Sequence, residues 1–418
     1  MMKNIFNSYR LPYVVFAIII GTLISRLGTS IVIPYITILL VQLKHLPLYW
    51  GGIAIGVSYL SQAFWVSGSG KLFPGIEPFK LMKLAICIYA ALFLVMSLIS
   101  KFAYNQLLVG YGFIASFFIV GICRALIETT GLAAISHSAP PSLKHFAFSL
   151  RYTFVNIGTS IGPALALFLG ILNTNLAFLI ATMTIFLYFI LLQFTVSKEK
   201  FILETNKKKS FLDTVRLLLV DKKLLYFTLA AIFCYIGFSQ METLFAYVAY
   251  YYTKKPHVFA VMYAINGISI IFFQIPLVQY IKKFDIHFVI LFGILLLTGG
   301  IIGVAISDTH AMFYYISIFV FTFGEIFTLS LLGLYIDQFA LPKYRYIYFG
   351  ISNFVYVGKI IGPPLATVLC HYLGLAIGLL IISAITLLAI PFILLAKNQL
   401  SLKLEPKVDY LPSYTQTK

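Results

Sequence analysis

Apolar runs of eighteen or more residues recur along the whole chain, and polar residues gather between them. Each run is long enough to cross roughly 30 Å of hydrocarbon as a helix. The pattern predicts twelve spans, over residues 12–42, 50–70, 80–100, 105–136, 150–171, 174–196, 224–252, 258–281, 287–306, 311–339, 347–370 and 373–396. The one long polar segment, 197–223, divides them into two sets of six. FLDTVRLLLV within it has partial helical amphipathicity and suits either a surface-lying helix or a plain linker. The predicted organisation is a six-helix bundle over 1–196, a linker over 197–223, a second six-helix bundle over 224–396 and a tail over 397–418.

The two sets repeat one another. Gly158-x-x-x-Gly162-Pro163 in the fifth span returns as Gly358-x-x-x-Gly362-Pro363 in the eleventh, 200 positions on. Pro141 matches Pro342 at an offset of 201, and at that offset Arg124 falls on Glu325. A duplicated module thus carries a cation in one copy and an anion in the other. Small residues four apart let helices approach closely, and a proline permits a bend, so these elements serve packing or bending.

Composition sharpens the class. Hydrophobic residues make up 61% of the 418, charged residues 10%, and mean hydropathy is +0.97. Average composition carries about 25% charged residues, so a soluble domain is excluded and an all-α membrane protein embedded in a lipid bilayer is predicted. The net charge of +17 does not point to nucleic acid, because of where the basic residues stand. Of 30 Lys and Arg, the loops on one side hold Lys44, Lys101, Lys254 and Lys255, and the spans hold Arg26, Arg124 and Lys359. The remainder lie on the other side, which the positive-inside rule makes cytoplasmic, both termini included. A multi-pass protein of the cell membrane follows, most simply monomeric. The first span is long and lacks a cleavage site, so it reads as a signal anchor. Cys87, Cys123, Cys234 and Cys370 each lie in a span without paired spacing and suit packing rather than disulfides or metal.

The candidate chemistry is intramembrane charge, which is costly and faces protein or water. Arg26 sits among Ser25, Gly28, Thr29 and Ser30, with Pro34 beyond. It either caps carbonyls freed by the proline or faces a substrate or ion. Arg124 and Glu128 stand four apart in the fourth span and can neutralise each other on one helix face or line a cavity. The seventh span holds Gln240 and Glu242, the tenth holds Glu325, and the eleventh holds Lys359, which either neutralises Glu325 or belongs to a transport site. The aromatic run Phe245, Tyr247, Tyr250, Tyr251 and Tyr252 reads as an interfacial belt or as a lining for flat or apolar substrates.

Twelve spans in two parallel repeats joined by a basic linker resemble the major facilitator superfamily, over about residues 10–397. Arg26-Leu27-Gly28 with Pro34, Arg124, and the Gly158–Pro163 element are similar to the drug-exporter side, although Ala166 and Leu167 replace the final glycines of its antiporter motif. Phe323-Gly324-Glu325, followed by Pro342, Arg345, Gly350 and Gly358–Pro363, resembles proton-coupled multidrug exporters and, less closely, oligopeptide transporters. The acidic first-span motif of the latter is absent. The loop between the second and third spans also departs from the superfamily, with Pro74, Gly75, Glu77 and Pro78 following Gly70.

The resemblance implies two halves rocking about a midplane site lined by the first, fourth, seventh and tenth spans. It implies a secondary transporter of small molecules, proton-coupled, exporting amphipathic compounds or taking up a sugar, nucleoside or organic anion. An enzyme is not expected. His45, His137, His145, His257, His287, His310 and His371 are scattered over loops and span ends, and no metal or cofactor motif is present. A channel is a weaker alternative, because the oppositely charged repeat suits alternating access.

Overall fold

The computed structural model describes residues 11–42, 44–72, 77–103, 105–168, 174–195, 218–281, 283–331 and 352–399. Most of the linker, the C-terminal tail, and Asp337, Pro342, Arg345 and Gly350 lie outside them.

The described residues are helical almost throughout, as the apolar runs require. With no water in the bilayer core, each backbone N–H and C=O must bond within its own helix. The first rod comprises α1 (Tyr13–Val32), a 3-10 turn over Ile33–Tyr35 that begins beside Pro34, and α2 (Ile36–Gln42). There follow α3 (Tyr49–Leu72), α4 (Pro78–Phe102), α5 (Gln106–Ser138), α6 (Lys144–Phe168) and α7 (Thr174–Thr195). The second set comprises α8 (Lys222–Phe238), a 3-10 turn over Ser239–Glu242, α9 (Phe245–Thr253), α10 (Pro256–Ile281), α11 (Ile286–Ile306), α12 (Ala311–Thr328) and α13 (Tyr356–Leu373). It closes with α14 (Leu375–Leu387) and α15 (Ala389–Asn398). Among the described residues, nine helices are long and apolar enough to cross a membrane.

The ends carry the expected chemistry. Asn105 accepts from the N–H groups of Leu107 and Leu108, and Asp221 from that of Leu224, covering donors that the first turn leaves open. Pro78 opens α4, and Pro140-Pro141 separates α5 from α6. Several predicted spans are interrupted: 3-10 turns stand at Ile33–Tyr35 in the first, Leu329–Leu331 in the tenth and Ser352–Val355 in the eleventh. The seventh is broken at Ser239–Glu242, and the twelfth at Leu388, three residues before Pro391.

Two hydrophobic cores form, one around Phe93, Phe113 and Phe178, the other around Phe227, Phe245 and Phe321. The repeated glycines mark the same contact in each. A Cβ on Gly158 would stand 2.8 Å from Leu23 O in α1, and one on Gly358 only 2.3 Å from Ile232 O in α8. Gly162 and Gly362 similarly abut Leu27 O and Ile236 O, each at 3.0 Å. The fifth span thus packs on the first as the eleventh packs on the seventh. α6 and α13 continue through Pro163 and Pro363.

Two helix pairs close the seam between the sets, α3 with α13 and α6 with α10. Gly52 and Gly56 let α3 approach Pro363 O and Ile360 O, at 2.4 and 2.7 Å from a notional Cβ. Tyr49 meets His371 edge to face, and Tyr35 meets Phe259.

Candidate functional site

The charged residues of the spans form three groups. The first lies inside the first six rods. Arg26 donates from Nη2 to Glu128 Oε2 at 3.3 Å, and Arg151 donates from Nη2 to Glu128 Oε1 at 2.8 Å. Arg124, a helical turn before Glu128, lies over the Tyr59 ring with its guanidinium carbon 5.3 Å from the centroid. Arg26, Arg124, Glu128 and Arg151 line a pocket with Thr22, Ser25, Thr29, Gln62, Tyr89, Ile127 and Tyr188. It holds about 420 Å³ of free space, counting the part open to solvent. Every rod of the first set contributes a side chain, so the pocket sits within one half rather than between the two.

Of the alternatives open for these residues, Arg124 and Glu128 line a cavity, and Arg26 faces an ion. Glu128 is neutralised by Arg26 and Arg151, not by Arg124 on its own helix face. Arg26 binds a carboxylate rather than the carbonyls around Pro34. Arg151, which the charge pattern puts among the cytoplasmic basic residues, is only 8% exposed. The signal available was its place one residue inside the predicted fifth span; the helix begins at Lys144, which carries Arg151 two turns in.

The second group straddles the seam. The break at Ser239–Glu242 turns Glu242 toward α3 and α13, where the Tyr59 hydroxyl donates to its Oε2 and Lys359 donates to its Oε1 at 3.2 Å. Lys359 Nζ stands 4.9 Å from the Tyr59 ring centroid, 5.0 Å from that of Phe238 and 5.8 Å from that of Tyr235. Such an aromatic cage stabilises an ammonium that a low-dielectric site would otherwise disfavour. Lys359 is therefore the partner of Glu242, not of Glu325. Gln240 is 0% exposed; its Nε2 donates to Ile236 O at 2.8 Å and Gly362 O at 3.4 Å, covering carbonyls at the break.

The third group is Glu325 on α12. Asn266 of α10 donates from Nδ2 to Glu325 Oε2 at 2.9 Å and to Thr322 Oγ1 at 3.0 Å. Among the described residues no cation lies within 4 Å of Glu325, and it does not line the first-half pocket that holds Arg124. The pseudo-symmetric pair thus occupies separate surroundings. Tyr59 and Asn266, both uncharged, escaped a search that followed charge. Among the described residues no group of three His, Cys, Asp or Glu could hold a metal ion.

The described helices form two sets of six rods with paired seam helices and charged groups inside the spans. The Major Facilitator Superfamily description matches residues 102–358. The chain belongs to the Major Facilitator Superfamily. Its sequence is 27% identical over 407 residues to an uncharacterized MFS-type transporter, YqjV, of Bacillus subtilis, covering 92% of this chain and 94% of the relative. It is 25% identical over 350 residues to a second MFS-type transporter, YdeE of Escherichia coli, covering 83% and 86%. In fold it is similar to the POT family transporter PepTSo, with a TM-score of 0.75 and 13% identity over 93% of this chain and 98% of the other. A superfamily member of this kind is a multi-pass transporter of small molecules in a lipid bilayer.

Proposed function

We propose that the chain is a proton-coupled secondary transporter of the cell membrane that works by alternating access as a monomer, with both termini cytoplasmic. It exchanges protons for a small molecule moved outward, as the motif resemblance to multidrug exporters suggests. The observation that carries the reading is the Tyr59–Glu242–Lys359 cluster, which ties α3 of one half to the break between α8 and α9 and to α13 of the other. Hydrogen bonds to charged groups contribute about 1.5–3 kcal/mol each. Breaking one of these two bonds therefore weakens the tie by enough to shift a conformational equilibrium about tenfold or more. Glu325 is the proton acceptor on this reading, because an amide rather than a cation holds it and a proton there displaces no ion pair. The repeated glycine elements, at Gly158, Gly162, Pro163, Gly358, Gly362 and Pro363, hold helix pairs together while the halves move.

The test uses full-length protein in liposomes. With a substrate found by counterflow screening, Glu325→Gln keeps counterflow exchange and loses accumulation driven by a pH gradient. Gradient-driven accumulation at the wild-type rate would refute the coupling role.

A further inference from the structure

The pocket inside the first six rods holds three guanidinium groups for one carboxylate. Both oxygens of Glu128 are already engaged, by Arg26 and Arg151, and among the described residues Arg124 has no acid within 4 Å. Arg151 is buried and Arg26 and Arg124 are half-buried, and cations in excess of their anions at such depth are costly unless something of opposite charge joins them. Three further donors in the pocket wall have no hydrogen-bond partner: the hydroxyls of Tyr89 and Tyr188, whose residues are 2% and 1% exposed, and Nε of Arg151, 8% exposed. Tyr89 stands within electrostatic range of both Arg124 and Arg26. Ser25, Thr22 and Thr29 add hydroxyls along α1. Gln62 Oε1 is an unpartnered acceptor in the same wall, but the donors outnumber it and the charge stays positive. That balance matches an oxyanion, which brings several acceptor atoms and the missing charge together.

We propose that this pocket binds a small oxyanion, with Arg124, Arg151 and the Tyr89 hydroxyl as its principal donors. The anion is either a free inorganic ion or the carboxylate, phosphoryl or sulfonyl head of the transported molecule. The site lies within one half and is separate from the seam cluster, but a single side chain joins the two. Tyr59 carries Arg124 over its ring and bonds Glu242 through its hydroxyl. An anion that draws Arg124 away from the ring therefore acts on the seam. That consequence rests on the transport reading above; the binding site itself does not.

Detergent-solubilised full-length protein is titrated at constant ionic strength with inorganic phosphate and, separately, with succinate, following the thermal unfolding midpoint. A saturable rise with at least one of the two, absent with neutral glycerol, is expected. The tighter of the two identifies a free ion or an organic head as the natural source. Arg124→Gln weakens the apparent affinity about tenfold or more, as removal of a charged donor does, whereas Arg124→Lys recovers part of it. Glu128→Gln gains a larger rise than wild type, since the anion then supplies the charge that Arg26 and Arg151 have lost. No saturable response of wild type to either anion, or an unchanged affinity in a monodisperse Arg124→Gln protein, overturns the proposal. Binding without gradient-driven flux in liposomes would instead refute the transport reading and leave the site standing.

Discussion

Tyr59 and Glu242 stand 183 positions apart in the chain, and the hydroxyl of one donates to the carboxylate of the other across the seam between the two halves. The same tyrosine ring lies beneath Arg124 on one side and beside Lys359 on the other. Replacement by phenylalanine keeps both ring contacts and removes only the hydroxyl. Tyr59→Phe is expected to loosen the contact of α3 with α13, lowering hydrogen-exchange protection in Tyr49–Tyr59 and Ala366–Leu373 about tenfold, the worth of one bond to a charged group. Unchanged protection in both segments would show that the glycine-mediated packing alone holds the seam.

Glu128 serves two arginines, which makes the cost of deleting members of the cluster unequal. Arg26→Met leaves an intact pair between Glu128 and Arg151 at 2.8 Å. Glu128→Gln leaves the buried Arg151 and the half-buried Arg26 without their anion. Breaking a fully buried pair costs about 3–5 kcal/mol, and solvent at Arg26 and Glu128, 29% and 34% exposed, brings the loss below that. In phosphate-free buffer the apparent unfolding midpoint of Glu128→Gln is therefore expected well below that of Arg26→Met. Equal midpoints would mean that water or lipid headgroups neutralise the arginines.

Periodicity and composition made the scaffold legible. Apolar runs long enough for a bilayer give the helices, and the repeated Gly-x-x-x-Gly-Pro elements pointed to close helix packing, seen here between α6 and α1 and between α13 and α8. The partners of the charges were not legible. The spacing of Arg124 and Glu128 suggested a pair, because neighbours four apart on a helix are the contacts that one-dimensional reading can see. The bonds actually made by Glu128 reach 102 positions back to Arg26 and on to Arg151, and only the fold determines them. For Lys359 the sequence leaves open whether it neutralises Glu325 or belongs to a transport site, because nothing along the chain places its partner. The break at Ser239–Glu242, which no proline or glycine within it announces, instead delivers Glu242 to it.

The notional Cβ distances separate glycines that hold helices together from glycines that merely occupy them. A methyl group on Gly358 would meet Ile232 O at 2.3 Å and Tyr235 Cβ at 2.7 Å, and a backbone carbonyl cannot turn aside. Gly299, in the middle of α11, would meet only Val320 Cγ1, at 3.9 Å. Gly358→Ala is expected to destabilise by about 1–3 kcal/mol through overpacking. Gly299→Ala should be neutral or stabilising by up to about 1 kcal/mol, because alanine is the better helix former. Thermal unfolding of the two variants beside wild type decides the matter; similar losses in both would remove close helix approach as the reason for the repeated motif.

Away from the spans, Asp285 ties the start of α11 to the end of α15, the last helix among the described residues. It accepts from Lys397 Nζ at 3.0 Å, from the backbone N–H of His287 at 2.8 Å, and faces His287 Nδ1 at 2.9 Å. The Lys397 ammonium, followed by the His287 N–H, holds the carboxyl well below the usual carboxylate range. A carboxyl with a depressed folded-state pKa contributes stability that is fully present above its unfolded value of about 3.9 and is lost as the pH falls below that. Both partners are about half exposed, with 48% of each side chain accessible, so solvent screening limits the contribution to less than about 1 kcal/mol. Lys397→Met is therefore expected to lower the unfolding midpoint slightly at pH 7 and equally at pH 5. The difference from wild type shrinks by pH 3 as Asp285 protonates in the unfolded chain and the advantage of the ion pair disappears. Midpoints measured at the three pH values in one detergent check this. A difference that grew toward pH 3 would carry the wrong sign for a carboxylate held ionised by Lys397, and would assign the effect of the substitution to the helix end alone.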